Sequence, residues 1–333
     1  MNGVSSDEAA RTSQAVRRTE TVQAVPTVSV VICAYTQRRW DDLVGAVESV
    51  QSQTQPPCEL FIVIDHEPTL LDRARLAFPF AKVIANVEDQ GLSGARNTGV
   101  LATNADVIAF LDDDAVADPR WLEHLVAAYA DPLVVGVGGT VTPAWDGERP
   151  DWFPVEFDWV VGCSYRGQPE KRSVVRNLIG CNMSFRRAVF TEIGGFRHEL
   201  GRIGTEPSGC EETELCIRAG QYFPDGKVLL EPDAKVVHRV TAERASRRYF
   251  RRRCLAEGRS KALLGGLVGS GAGLSSERHY LTCVLTTGVI RGVRSNGSNN
   301  GRGQAMAIVC GFVFTTVGYL GGRLGMIRDA WDD

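Results

Sequence analysis

The chain contains no CxxC pair, no cysteine–histidine cluster at zinc spacing, no GxGxxG after a strand-like run and no GxxxxGK[ST]. These gaps exclude a zinc module, a dinucleotide fingerprint and a P-loop of the usual sequence form. Proline is sparse, 14 residues against 35 glycines in 333, so the glycine excess reads as tight turns and close backbone approaches rather than a low-complexity polymer. The first 25 residues, rich in Ser, Thr, Gln and both charge signs, lack an apolar run that could serve as a signal-peptide core. Residues 1–26 are expected to form a flexible tail. Nine cysteines (33, 58, 163, 181, 210, 216, 254, 283, 310) are odd in number and scattered, and they read as reduced, mostly buried thiols of a cytoplasmic protein.

Net charge is also nearly absent, at -3, but the average hides an asymmetry. Residues 1–234 carry 21 basic and 34 acidic side chains, net -13, whereas 235–333 carry 16 and 6, net +10. With 44% apolar and 23% charged residues the chain is neither collagen-like nor wholly disordered, and its length allows about two domains. From residue 28 onward, apolar runs alternate with helical periodicity. Val28–Cys33, Leu60–Ile64, Lys82–Val87 and Val107–Leu111 read as strands, separated by helices that include Trp40 to Val50 and Ser93 to Leu101. That alternation predicts an α/β fold with a Rossmann-like, mainly parallel sheet flanked by helices. Ligands of such sheets gather beyond the carboxyl ends of the strands.

Further along, Asp118-Pro119 reads as the cap and first turn of another helix, residues 143–175 look irregular, and a short helix ends at Gly194-Gly195. Glu211 to Ala219 reads as a helix stopped by Gly220. Between Lys235 and Lys261 ten basic residues stand against two acids, and Gly303–Gly322 is a run of twenty uncharged residues with five glycines. As a helix that run would be about 30 Å long, the thickness of a hydrocarbon core. It could span a membrane, lie in its plane, or pack on the rest of the chain. The alternating glycines of Gly269–Gly273 follow no strand and read as flexible.

The polar residues at strand ends are the first candidates for chemistry. Asp112, Asp113 and Asp114 close a buried strand, where three carboxylates repel one another unless a cation binds; a divalent ion bridging to phosphate oxygens is one remedy, a solvated turn the other. Asp65 ends the second strand and could accept hydrogen bonds from a base or ribose, or simply end a turn. Arg96 stands early in a helix whose free N–H groups suit an anion, although an arginine there can equally be a surface residue. Glu211 and Glu212 head a helix, where the dipole favours acids for structural reasons alone. His238 follows the apolar pair Val236-Val237 and by itself reads as a structural histidine. Together these residues compose a nucleotide, metal and base site.

At this point the sequence resembles family 2 glycosyltransferases, over residues 27–262. Ser29–Tyr35 resembles the family's opening strand, Gly91–Gly99 its donor-site helix, Phe110–Asp114 its DxD element, and Gly194-Gly195-Phe196 with Glu211–Arg218 its acceptor-side signature. The resemblance implies a GT-A fold, a nucleotide-diphosphate sugar donor with a uridine carrier, a divalent metal (Mg2+ or Mn2+) and inversion at the anomeric carbon. It makes Ala34, Tyr35, Asp65, Arg96, Asp112 and Asp113 nucleotide-sugar contacts, Asp114 and His238 metal-site residues, and Glu212, with Glu211 beside it, the general base. Two departures stand out: Thr36 where the family often has Asn, and Glu212 where Asp is commoner. Within the family, Ala34-Tyr35-Thr36 with Arg39–Leu43, Val63–His66, and Tyr249-Phe250 through Glu257–Lys261 resemble the glucosyl-dolichyl-phosphate glucuronosyltransferase-like subgroup, which implies a lipid-linked acceptor.

The expected organisation is a glycosyltransferase domain over 27–240, with a donor half about 27–142 and an acceptor half about 143–240. A basic and apolar helical extension follows over 241–333, membrane-associated at the cytoplasmic face. Expected partners are the nucleotide-sugar donor, a lipid-linked or glycan acceptor and an anionic membrane surface; no nucleic acid is expected. Two other classes remain open on sequence: a non-catalytic scaffold of the same fold at the membrane, and an arginine-rich nucleic-acid binder, which lacks any accompanying motif.

Overall fold

In the computed structural model, residues 25–202, 209–269, 280–294 and 299–325 are described. The expected tail up to residue 24 and most of the Gly269–Gly273 run lie outside the described residues. The first half is built as the apolar runs predict. Strands β1 (Val28–Ala34), β2 (Glu59–Ile64), β3 (Lys82–Ala85) and β4 (Val107–Asp112) are parallel, in the order β3-β2-β1-β4, joined by helices α1 (Trp40–Gln51), α2 (Pro68–Ala77) and α3 (Leu92–Ala102). Register sets the chemistry: Ala34 pairs with Ile64 and Cys33 with Asp112, so Ala34, Asp65 and Asp112 meet at one sheet edge.

Beyond β4 come β5 (Ala115–Ala117), α4 (Trp121–Ala128), β6 (Val134–Trp145), β7 (Ser173–Val174), β8 (Asn182–Arg186), α5 (Arg187–Ile193), α6 (Glu211–Tyr222) and β9 (Lys227–Val240). The sheet continues β4-β8-β6-β9-β5, with β8 antiparallel to both neighbours and β6 parallel to β9. Alternating residues face opposite sides. Val30, Ile32, Ile62 and Leu111 pack with Leu43, Val47, Trp121 and Leu125, whereas Val31, Phe61, Val63 and Phe110 pack with Met183, Phe185 and Leu215. Each such buried side chain contributes about 1.5–3 kcal/mol of transfer free energy. On the second face α3 presses close to β1; a Cβ at Gly99 would stand 2.5 Å from Val31.

Three boundaries differ from the sequence expectation. Helix α4 starts at Trp121 with Arg120 at its cap position, because the Asp118 carboxylate accepts from the Arg120 N–H and closes a turn one step earlier. Helix α6 passes through Gly220 to Tyr222: Gly220 is exposed, and the helix is held instead by Arg218, which grips the fully buried Glu214 one turn back. The stretch 143–175 is only partly irregular, holding the end of β6, a 3-10 turn over Val155–Val161, and β7.

The final elements are α7 (Arg247–Val268), a π turn (Tyr280–Leu285), α8 (Thr286–Arg294) and α9 (Asn299–Arg323). Ser246 caps α7 by accepting from the Tyr249 N–H. A third apolar cluster, including Phe153, Phe157, Phe250, Cys254, Leu285 and Ile308, ties these helices to the 3-10 turn. Helix α9 packs along the body of the protein: a Cβ at Gly311 would meet the Phe157 ring at 2.3 Å, and one at Gly318 the Leu255 carbonyl at 2.1 Å. The helix thus packs one face on the rest of the chain. It is also long and apolar enough to cross a membrane by length and composition, with 28% of its most apolar window buried. All nine cysteines are free, and five are buried.

Candidate active site

A cavity of about 1020 Å³ opens at the carboxyl ends of β1, β2 and β4. Ala34, Tyr35, Asp65, Arg96, Asp112, Asp113, Asp114, Glu211, Glu212 and His238 all line it, so every residue singled out on sequence reaches one space.

Asp65 is held from three sides: the Gly91 N–H donates to one oxygen at 2.9 Å, and Asn86 (2.7 Å) and His66 Nδ1 (2.9 Å) contact the other. Arg96 is 2% exposed, against the reading of a surface arginine. It donates to Glu211 at 2.8 Å, to Asp112 at 3.2 Å and to the Gly180 carbonyl at 3.1 Å, joining the strand-end acids to the start of α6. Burial works against its charge, but Asp112 and Glu211 more than offset that and keep it a cation. Among the described residues, His66 (φ 53°) and Cys210 (φ 74°) are the two non-glycines in the left-handed region, next to Asp65 and Glu211 respectively. Backbone strain of this kind tends to collect at functional sites.

The acid triplet is electrostatically divided. Burial, Asp114 and Asp112 push Asp113 upward against the pull of Arg39, and Asp113 Oδ2 is buried without a hydrogen-bond partner among the described residues. Asp114 is equally buried, yet His238, Arg244 and Arg39 hold it well below the usual carboxylate range. His238 Nε2 lies 3.1 Å from Asp114, Arg244 3.3 Å and Arg39 3.2 Å. Strand pairing explains the histidine: it lies opposite Ala115, the residue after Asp114. Ligand atoms of Asp112, Asp114 and His238 lie within 4.8 Å of one another. Two carboxylates and an imidazole beside an unpartnered carboxylate oxygen fit a divalent cation. Asp112, expected to contact ribose or sugar, thus belongs geometrically to the metal cluster.

Glu212 opens α6 on the cavity side. Burial first, and the neighbouring Glu211 carboxylate second, push it up to about 8. Glu211 Oε2 is buried without a partner among the described residues. Sequence reasoning gave no site role to Arg39, Arg202, Arg244 or Arg253, although all four line the cavity. For Arg244 and Arg253 the signal was the basic stretch 235–261. In the structure Arg244, Arg253 and Lys261 turn into the cavity, Arg247, Arg248 and Arg251 outward.

An acid-edged cavity at the end of this sheet is the architecture of a GT-A-type glycosyltransferase. A mannosyltransferase from Pyrobaculum calidifontis, solved with GDP-Man and Mn2+, superposes with a TM-score of 0.58 over 93% of this chain and 89% of that one, at 16% identity. The chain belongs to the family 2 glycosyltransferases: the family described as Glycosyl transferase family 2 matches residues 29–194, and a relative matched over most of both chains supports the assignment. That relative, the glucosyl-dolichyl phosphate glucuronosyltransferase of Haloferax volcanii, is 34% identical over 304 residues, covering 89% of this chain and 96% of its own length. The pre-mycofactocin glycosyltransferase of Mycobacterium tuberculosis is 29% identical over 164 residues, 47% of this chain and 32% of that longer protein.

Proposed function

We propose that the protein transfers a sugar from a uridine-diphosphate sugar to a hydroxyl of a lipid-linked saccharide, with inversion, at the cytoplasmic face of a membrane. The name of the Haloferax relative, a glucosyl-dolichyl phosphate glucuronosyltransferase, supports the lipid-linked acceptor. The observation that carries the reading is the Arg96 bridge between Asp112 and Glu211, which brings donor-side and acceptor-side acids into one cavity. In this reading 27–142 serves the donor and 143–240 the acceptor. The extension 241–333 completes the cavity wall and faces the membrane.

The residues divide the work by charge. Ala34, Tyr35 and Asp65 border the nucleotide end, Asp65 as the acceptor of hydrogen bonds from base or ribose. Asp113 and Arg96 face the sugar, and Arg39 and Arg244 offer cations to the diphosphate. Asp112, Asp114 and His238 would hold the divalent cation, whose contribution is to neutralise charge on the departing diphosphate. An imidazole in the set suits Mn2+ better than Mg2+. Glu212 accepts the proton of the acceptor hydroxyl as that oxygen bonds to the anomeric carbon. The bond from that carbon to the diphosphate breaks on the opposite face, and its electron pair leaves with the nucleotide.

The reading is tested by titrating a panel of nucleotide sugars into the full chain with and without Mn2+, and by assigning the anomeric configuration of the product by NMR. A uridine-linked donor should bind with metal dependence, and Asp114→Ala should weaken that binding about tenfold or more. Retention of configuration, or metal-independent binding of all nucleotides alike, would overturn it.

A further inference from the structure

Arg253, Glu257 and Lys261 recur every four residues and so share one face of α7. That face forms part of the cavity wall. Cys210 Sγ lies 3.6 Å from Glu257, and a Cβ at Gly209 would sit 3.0 Å from Arg253 Nη2, which sets the group against the start of α6 beside Glu212.

Arg253 is only 9% exposed, and its guanidinium lies 5.7 Å from the Trp159 ring centre. Nη1 donates to Glu257 at 2.8 Å, while the buried Nε has no hydrogen-bond partner among the described residues. Burial would raise Glu257, but Arg253 and Lys261 hold it down at about 2, so it is a carboxylate facing two cations. A buried cation with an unpartnered donor is costly unless an anion completes it. The other acids of the cavity engage other cations: Arg39 and Arg244 pair with Asp114, and Arg96 with Asp112 and Glu211. Beyond Arg253 the cavity changes character, since Tyr280, Leu285, Phe312 and Tyr319 from the last helices supply an apolar wall. Outside it the exposed residues Met306, Val309, Val313, Val317 and Leu320 continue as an apolar stripe along α9.

From this succession of reacting acid, buried cations and apolar wall, we propose that Arg253 and Lys261 bind the phosphate of an isoprenoid-phosphate sugar acceptor. The proposal rests on the lipid-linked acceptor reading given above. In such a molecule the phosphate stands one sugar ring from a reacting hydroxyl, with the hydrocarbon beyond it. That order matches Glu212, then Arg253 and Lys261, then the wall from the C-terminal helices. Charge-assisted contacts to a phosphate provide the affinity.

The test is calorimetric titration of farnesyl phosphate and of farnesol into the full chain. Wild type should prefer farnesyl phosphate by about tenfold or more. Arg253→Gln and Lys261→Gln should each remove most of that preference and leave farnesol and nucleotide-sugar binding unchanged, which also reports an intact fold. Arg253→Lys, which keeps the charge, should retain part of the preference. Equal binding of the two probes by wild type, or a preference surviving in both Gln variants, overturns the proposal. Inorganic phosphate displacing farnesyl phosphate at equal concentration overturns the lipid part, assigning the site to a free anion. Transfer to an isoprenyl-phosphate sugar that is undiminished in both variants overturns the phosphate site and leaves the acceptor reading standing. The expected binding pattern in a protein that glycosylates only neutral glycans supports the phosphate site and overturns that reading.

Discussion

Glu212 is partly closed off from water and stands next to a second carboxylate, and both conditions favour its protonated form. A base must lose its proton before it can take one. The expected outcome is a kcat/KM that rises about tenfold per pH unit up to about 8 and levels off above it, measured with a saturating metal concentration. Glu212→Gln should abolish transfer and leave nucleotide binding within about twofold of wild type. The same shift acts on stability in the opposite sense. A carboxyl raised in the fold above its unfolded value opposes folding increasingly as pH climbs between the two values. Glu212→Gln should therefore gain on wild type in thermal unfolding between about pH 5 and 8, by no more than about 1.4 kcal/mol per pH unit, and hold a constant gain above. At this scale the strand-end acids were legible because a carboxylate after an apolar run is visible in one dimension. Of the partners of Asp114, His238 entered only through the family resemblance and Arg39 and Arg244 not at all, because all three come from distant segments; the pairing of β5 with β9 sets the histidine beside the acid.

Among the elements, α9 depends most on a single residue type. Its glycines let two helix backbones approach until no side chain fits between them, and Gly318 meets Leu255 where Gly258 meets Thr315. Gly318→Val should force α9 from α7 and lower stability by about 1–3 kcal/mol in chemical denaturation. Gly266, on α7 with no described atom within 4 Å of a Cβ placed there, supplies the control: Gly266→Ala should be neutral or slightly stabilising in the same measurement. The parallel strands and their helices could be read from period and run length. The end of α6 could not, since a glycine stops a helix only when nothing else holds it: Arg218 pairs with Glu214 within the helix, but its bonds to the Gly194 and Gly195 carbonyls and the reach of Arg197 to Glu214 are tertiary. Likewise the basic stretch looked uniform, although a helix sends neighbouring arginines to opposite sides.

For the whole molecule, the split between an acidic first part and a basic remainder acquires a direction. Arg247, Arg248 and Arg251 are exposed on α7, and the apolar stripe of α9 is exposed as well. Such a combination should bind anionic phosphatidylglycerol vesicles more tightly than neutral ones, with the difference fading as salt shortens the Debye length from about 10 Å at 0.1 M to about 3 Å at 1 M. Val313→Asp with Leu320→Asp, both outside the cavity, should reduce vesicle co-sedimentation about tenfold or more and leave donor binding unchanged. The cavity itself draws on residues from Cys33 to Tyr319, nearly the whole span of the chain. During synthesis the parallel strands emerge early and the last wall emerges last. A nascent chain therefore completes the strand-end side of the cavity long before the wall from the last helices, and the cavity closes only once α9 has been made.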